Sequence, residues 1–212
     1  MTDRTLHSLP LFPLGTVLFP GGRLPLRVFE VRYLDLVGKC QRTGAPFGVV
    51  ALRQGQEVRH PGAPLEHLES IGTLAHIDAL EQVQPGLLLI ECRGTERFRI
   101  DHSERLRHGL WIADVTVLPP EPALPVPSDL EHTAQALRRV HAGLRRGPST
   151  LPVPTAGSEH FEDCGWVANR WCELLPLPLA LKQRLLGLDS PLLRLELVSD
   201  LLERAGIDGD AG

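Results

Sequence analysis

The side chains best suited to chemistry in this 212-residue sequence are its cysteines and histidines, and one pair of them has a spacing that suits catalysis. His160 and Cys164 lie four residues apart. A helix would place them on one face, where the imidazole can activate the thiol as a nucleophile. The same spacing is typical of a buried cysteine on the apolar stripe of a helix with a histidine near its start. We favour this packing interpretation.

Lysine occurs only at Lys39 and Lys182, which restricts the possible chemistry further. A phosphate-binding loop needs Gly-x-x-x-x-Gly-Lys-Ser/Thr, whereas Gly38-Lys39 is followed by Cys40 inside a predicted helix. A serine–lysine dyad needs a buried lysine beside a serine in a tight turn, and neither lysine has such a neighbour in the sequence. The sequence also lacks a Gly-x-Ser-x-Gly elbow. We therefore predict neither an ATPase nor a protease.

Two sets of potential metal ligands can be assembled, but neither has the ligand spacing of a metal site. One set spans a predicted loop and strand, and the other lacks a tight pair of ligands. The two sets are His60, His67 and His76, and His160, Asp163 and Cys164. The four cysteines include no pair at the two-residue spacing of zinc knuckles and redox motifs. We therefore predict no metal, no cofactor and no catalytic residue.

Nucleic-acid binding has one candidate surface, a set of arginines beside a predicted strand. Arg93, Arg97 and Arg99 would place three guanidinium groups near one another, and such groups can follow a phosphate backbone. Acidic residues are interleaved with them, and the chain has only one tyrosine and three tryptophans for base stacking. A solvated, mixed-charge face is the favoured interpretation, and RNA binding is kept as the alternative function.

Binding of a protein or peptide requires no catalytic group, only an apolar patch or groove with polar edges. Aromatic residues and arginines are the candidates for such a surface, although each aromatic also has a core-packing interpretation. The residues selected for partner binding are Phe29, Arg32, Tyr33, Arg97, Arg99, Trp166 and Trp171.

Composition is that of an ordinary soluble globular protein, with 42% apolar and 23% charged residues. The formal net charge of −4 gives no general attraction to nucleic acid or to an anionic membrane. The first residues are polar rather than a signal peptide, and no apolar run approaches the length of a membrane span. We therefore expect a cytoplasmic protein whose cysteines are reduced.

Short strands separated by turns account for the first part of the chain. The proline-punctuated stretch from Leu9 to Tyr33 predicts extended pieces joined by a turn at Pro20-Gly21-Gly22. In the strand predicted over residues 96–100, alternation places Arg97 and Arg99 outside, and a break at Arg93-Gly94 precedes this strand. The pattern indicates an antiparallel sheet or small barrel with one covering helix. That helix is predicted over residues 30–43, and the later strands over residues 47–52, 71–80, 87–92, 96–100 and 111–118.

The second part of the chain has helical periodicity. Ser128 and Glu131 form a capping-box pattern before its first helix, and Ser190-Pro191 begins its last. Five prolines in residues 119–127 predict a stiff linker between the two parts. The predicted architecture is α+β, with a β-rich domain over residues 9–118 and a helical bundle over residues 128–204.

Four segments carry the patterns of a known family. The opening segment has Pro13-Leu14, Val17, Pro20 and Pro25-Leu26, and residues 70–77 contain an Ile-Gly-Thr strand. Residues 93–100 resemble a Glu-Gly-x-x-Arg-x-x-Ile hairpin with an arginine where an acidic residue is usual, and residues 175–189 follow a Leu-Pro-Leu…Lys-Gln…Leu-Leu…Asp pattern. Together they resemble the N-terminal, substrate-binding domain of the Lon protease family. The resemblance is nearest to small bacterial proteins that consist of that domain alone.

The resemblance implies a β-barrel-like domain of the pseudouridine-synthase-and-archaeosine-transglycosylase (PUA-like) type followed by a helical bundle. In Lon proteases this region captures substrates and helps assembly, and it offers no catalytic residue. The resemblance therefore implies a non-catalytic protein that recognises unfolded polypeptide or a partner protein. An RNA-binding PUA-like module that uses Arg93, Arg97 and Arg99 is the alternative.

Overall fold

The computed structural model describes residues 4–57, 65–146 and 159–207. The chain divides into two units, Met1–Pro120 and Glu121–Gly212, and this division falls inside the predicted linker 119–127. The first unit is a sheet with one helix and the second is helical, so the predicted α+β class is confirmed. Among the described residues, no helix is both long and apolar enough to span a bilayer.

The first unit is built on six described strands. They are β1 (Arg4–Leu14), β2 (Arg23–Val28), β3 (Phe47–Gln54), β4 (His67–Gln84), β5 (Leu87–Arg105) and β6 (Trp111–Val117). Their order is β2-β5-β4-β3-β1-β6, and β5 also pairs with β6. The ladder from β5 through β4, β3 and β1 to β6 therefore closes into a barrel, while β2 extends the sheet beside the first half of β5.

The sequence predicted an antiparallel sheet, but the observed sheet is mixed. β1 and β3 are parallel, with Leu11 opposite Gly48 and Leu14 opposite Ala51. Parallel neighbours require a crossover connection, and β2 with the helix α1 (Val31–Thr43) supplies it. Prolines are tolerated inside β1 because its two ladders overlap only at Leu11. Pro10 pairs with β6 alone and Pro13 with β3 alone.

The predicted break at Arg93-Gly94 is wrong, because β5 continues through it as one strand of 19 residues. Gly94 stays in the ladder opposite Ala75, and its N–H and carbonyl bond the backbone of Gly22 and Gly21 at 2.9 Å. A Cβ at Gly94 would lie 2.5 Å from the carbonyl oxygen of Phe19. The glycine is therefore needed for the close approach of the turn after β1, and it does not end the strand.

Two apolar clusters fill the first unit. The cluster on one side of the sheet includes Phe12 and Tyr33, whose rings stack with centroids 4.0 Å apart. The other cluster surrounds Phe98, which is fully buried. A Cβ at Gly72 would meet the Phe98 ring at 2.5 Å, so the glycine of the predicted Ile-Gly-Thr strand makes room for this ring. The helix α1 covers the first cluster and ends at Gly44, whose φ of 69° is left-handed.

The second unit contains four described α-helices, preceded by a single 3₁₀ turn, Ser128–Leu130. They are α2 (Glu131–Arg146), α3 (Cys164–Leu174), α4 (Leu179–Leu186) and α5 (Pro191–Arg204). The predicted capping box is wrong, since Ser128 lies within the 3₁₀ turn and caps nothing with its side chain. The predicted start of α5 is confirmed, with the Ser190 side chain accepting from the Leu193 N–H.

A fully buried arginine, Arg194, joins the elements of the second unit. Its guanidinium donates to both carboxylate oxygens of Glu121 at 2.6 and 2.8 Å and to Oδ1 of Asn169 at 3.0 Å. It also donates to the carbonyls of Leu185 and Leu188 at the end of α4. Arg194 therefore pairs its buried charge in a bidentate ion pair and satisfies all five of its N–H groups.

We expect Arg194→Met to lower the free energy of unfolding by about 3–5 kcal/mol, because the substitution removes the buried charge that pairs with the Glu121 carboxylate and all the hydrogen bonds that the guanidinium donates. Urea unfolding followed by circular dichroism measures the change. Arg204→Met, on the exposed part of the same helix, is the matched control and should stay within about 0.5 kcal/mol of the wild type. Equal stability of the two variants would contradict the role given to Arg194.

Candidate functional site

Most of the side chains selected for partner binding in the first unit are core residues. Tyr33 is buried in its stack with Phe12, and burial raises its pKa. Arg32 is buried as well, donating to the Gly109 carbonyl at 2.7 Å and pairing with Glu30 at 3.1 Å. Phe29, directly after β2, is 53% exposed, and Arg99 is exposed as well. The core-packing interpretation is thus correct for Tyr33, and Arg32 fixes the start of α1 rather than a binding surface.

The three-arginine face that RNA binding requires is not formed. Arg97 is only 5% exposed, so its predicted outward position is wrong. Its ladder partner Thr73 is also buried, and the Thr73 hydroxyl donates to the Leu18 carbonyl at 2.6 Å, so the segment between β1 and β2 covers this part of the sheet. Arg93 and Arg99 are exposed, but each lies beside a carboxylate, Asp78 at 3.4 Å and Asp101 at 3.5 Å.

In the second unit, Trp171 is buried and donates its indole N–H to the Thr133 carbonyl at 3.0 Å. Trp166 is half-buried and meets the rings of Phe161 and His141 edge to face, with centroids 4.9 and 5.8 Å apart. It also lines a cavity of about 490 Å³ together with Leu124 and neighbouring polar residues. Trp166 therefore has both a packing role and an accessible side, whereas Trp171 has only a packing role.

The thiol chemistry considered from the sequence has no support in the geometry. Cys164 is the first residue of α3 and donates its thiol to the Pro125 carbonyl at 3.2 Å, while His160 precedes the helix. All four cysteines are free and buried. Burial raises the pKa of each thiol, to about 12 for Cys92 and Cys172, so none forms a reactive thiolate. The described residues contain no group of three metal ligands, and His60 lies outside them.

A groove of about 550 Å³ lies on the three-stranded part of the sheet formed by β2, β5 and β4, on the face turned away from α1. We call it the β groove. Leu89 of β5 is its central apolar side chain, and Arg27 of β2 and Glu81 of β4 lie directly opposite Leu89 in the ladder. Neither charge forms an ion pair with a described residue. Because adjacent strands are about 4.8 Å apart, Leu89 separates the two charges by about 10 Å.

Apolar side chains are also exposed around the β groove. Leu80, Val83 and Leu89 are 36%, 49% and 36% exposed, all on the β4–β5 hairpin. None of these three residues was selected from the sequence, which predicted only that a strand covers residues 87–92. The sequence signal for an exposed leucine on this strand is the unbroken apolar run Leu87-Leu88-Leu89-Ile90. An antiparallel strand with only one buried face alternates apolar and polar residues, so such a run supplies an apolar residue to the outer face.

The second unit has an apolar groove of about 430 Å³ between α4 and α5, which we call the α groove. Leu185, Leu188, Leu197 and Leu201 line it, and charged residues border it. Leu197 is 39% exposed, close to the 36% of Leu89 in the β groove. The two leucines are therefore comparable in exposure. The grooves differ in their surroundings: beside the β groove, among the described residues, β4 beyond Ala75 has a strand partner on one side only, whereas the α groove lies between helices.

The chain has the fold of solved Lon N-terminal domains. In fold, the chain is similar to the Lon N-terminal domain protein of Xanthomonas campestris, with a TM-score of 0.71, 32% identity, and coverage of 92% of this chain and 98% of that one. It also has the fold of the N-terminal domain of the Mycobacterium avium complex Lon protease, with a TM-score of 0.60, 19% identity, and coverage of 92% and 98%.

Residues 8–204 match the family described as the ATP-dependent protease La (LON) substrate-binding domain, and the chain belongs to this family. Among its relatives are the Lon protease of Anaeromyxobacter dehalogenans, 26% identical over 201 residues, and Lon protease 2 of Myxococcus xanthus, 36% identical over 93 residues. These matches span 92% and 43% of this chain, but only 23% and 11% of the two relatives. The family recognised from the sequence is thus confirmed.

The buried His141 in the Trp166 cluster gives a pH-dependence that can be measured. It is 3% exposed, its Nδ1 has no hydrogen-bond partner, and burial with the nearby charges of Arg145 and Arg170 lowers its pKa to about 4. The neutral imidazole is therefore the native form. Its contribution to stability is complete above the unfolded pKa of about 6.5 and is lost as the pH falls towards 4.

We expect the free energy of unfolding to fall by about 2 kcal/mol between pH 7.5 and pH 5 through His141 alone. Urea titrations of the wild type and of His141→Phe, followed by tryptophan fluorescence, measure this difference. The Phe variant should lose that part of the pH dependence, while His108→Gln, at an exposed turn, should keep it. An unchanged pH dependence in His141→Phe would show that another group is responsible.

Proposed function

We propose that this chain is a non-catalytic recognition protein that binds unfolded polypeptide or a partner protein through the β groove. Its membership of the Lon substrate-binding family supports recognition as the role. The catalytic activity of the longer relatives is not proposed for this chain, because the family match is to the substrate-binding domain. All four cysteines are buried and free, which suits a reducing compartment, and we propose the cytoplasm.

The observation that carries this proposal is the exposed leucine at the centre of the β groove. Leu89 lies between two charges that have no ion-pair partner among the described residues. Removing the remaining exposed part of Leu89 from water favours binding of an apolar side chain, and the flanking charges are available to a polar neighbour of that side chain. A polypeptide supplies both kinds of group, whereas a small polar molecule supplies only one.

The RNA alternative has less support. The closed five-strand ladder suits a PUA-like barrel, but a three-arginine face needs Arg97, which is 5% exposed. The remaining pair, Arg93 and Arg99, is partly neutralised by neighbouring carboxylates. If RNA were the ligand, affinity would fall steeply with salt and would be lost on joint substitution of Arg93 and Arg99 by glutamate. Polypeptide binding driven by apolar contact should change little under both treatments.

The proposal is tested with reduced, carboxymethylated lysozyme, a permanently unfolded polypeptide. We expect Leu89→Asn to weaken its binding about tenfold, since the substitution removes apolar area and adds an amide that must lose water. Fluorescence anisotropy of the labelled probe measures the dissociation constant, and circular dichroism checks that each variant is folded.

The matched control is Leu197→Asn in the α groove, because Leu197 has the same side chain and a similar exposure. Its affinity should stay within about twofold of the wild type. A wild-type protein that does not bind the probe, or a loss in Leu197→Asn equal to that in Leu89→Asn, would contradict the proposal.

A further inference from the structure

We propose that the polypeptide bound at the β groove is an extended segment that joins the sheet as an additional strand along β4. This inference rests on the proposed function and specifies how the ligand is held. The relevant part of β4 is Ile77–Gln84, which we call the β4 edge. The proposed ligand of this edge is a β-strand-forming segment in which basic and apolar residues alternate on one face.

The hydrogen-bonding pattern of β4 leaves one side of its second half open to an added strand. β3 pairs with β4 only up to Ala75, which lies opposite Phe47. β5 pairs with β4 from Ile71 to Gln84. In the part of the chain that the structure describes, β5 is therefore the only strand paired with the β4 edge, and the opposite side carries backbone N–H and C=O groups without a strand partner. Such an edge is a template for an incoming strand.

The β4 edge has little protection against pairing with an added strand. Proteins commonly block open edges with proline, lysine or bulges. The β4 edge has no proline or lysine, and residues 78–84 are all exposed. Register shifts occur at its two ends, between Ile77 and Ala79 and between Gln82 and Gln84. The stretch between them, Ala79–Gln82, keeps a regular register with β5, so two of its residues present both backbone groups outward.

The side chains of the regular stretch Ala79–Gln82 indicate which residues an added strand would present. Ala79 and Glu81 line the β groove on the face that carries Leu89. An added strand would place alternate side chains next to them, about 4.8 Å away. The small Ala79 leaves room for an apolar side chain, and Glu81, which has no ion-pair partner among the described residues, complements a lysine or arginine two positions along. The other acids near the edge are already paired, Asp78 with Arg93 and Glu91 with Arg23.

Backbone N-methylation separates strand addition from side-chain binding. The probe is the fluorescent peptide Lys-Thr-Val-Thr-Lys-Thr-Val-Thr, made unmodified and in two versions, with N-methyl groups on its odd or on its even residues. All three peptides have the same side chains, but each methylated version lacks the N–H donors of one edge. We expect one version to lose at least about tenfold in affinity and the other to stay within about threefold of the unmodified peptide.

Equal affinities of the two methylated peptides, whether both retained or both lost, would overturn strand addition, because the two edges of a strand must differ. If carboxymethylated lysozyme binds but the unmodified peptide does not, this inference fails and the proposed function stands. If neither probe binds, the proposed function fails as well.

Charge reversal tests the chemistry assigned to the occupant. Glu81→Lys should weaken the unmodified peptide about tenfold and strengthen the peptide in which both lysines are replaced by glutamate. Glu203→Lys, at an exposed position of α5 in the second unit, makes the same change in net charge and is the matched control. A shift of the same size in Glu203→Lys would show a general charge effect and would overturn the assignment of Glu81.

Discussion

The first unit depends on one backbone constraint, the 19-residue strand β5, which must satisfy three neighbours. On one side β4 follows it from Leu87 to Arg99, and on the other side β2 pairs with its first half and β6 with its second. The second half closes the barrel. The first half leaves the barrel as the outer part of a hairpin, and this divergence from β3 leaves the β4 edge without a second strand partner among the described residues.

The same constraint explains which side chains are available for binding. Where β5 exchanges β2 for β6 as its neighbour, the segment between β1 and β2 covers Thr73 and its ladder partner Arg97, so Arg97 is buried. In the hairpin part of β5, which precedes Gly94, both faces of the sheet carry apolar residues. One face packs against α1 through residues such as Ile90, and the other presents Leu89 in the β groove. The proposed binding surface thus results from the shape of the sheet.

The second unit has a different organising interaction, because its helices are short and join at a buried charge. Arg194 contacts the segment before the helices through Glu121, α3 through Asn169 and the end of α4 through backbone carbonyls. From the sequence alone, Arg194 is one more arginine on an amphipathic helix. Nothing in its spacing separates it from the exposed Arg204, because its side-chain partners Glu121 and Asn169 lie 73 and 25 residues away along the chain.

Local patterns in the sequence were sufficient for the α+β class, the family, the turn at Pro20-Gly22 and the start of α5 at Ser190-Pro191, because these depend on residues close together in the chain. The tertiary structure alone decided the parallel pairing of β1 with β3, the burial of Arg97 and Tyr33, and the open edge of β4. Each of these depends on which distant segments become neighbours. A distant segment that packs over a strand, or a neighbouring strand that ends early, changes the exposure of a side chain without changing any local pattern.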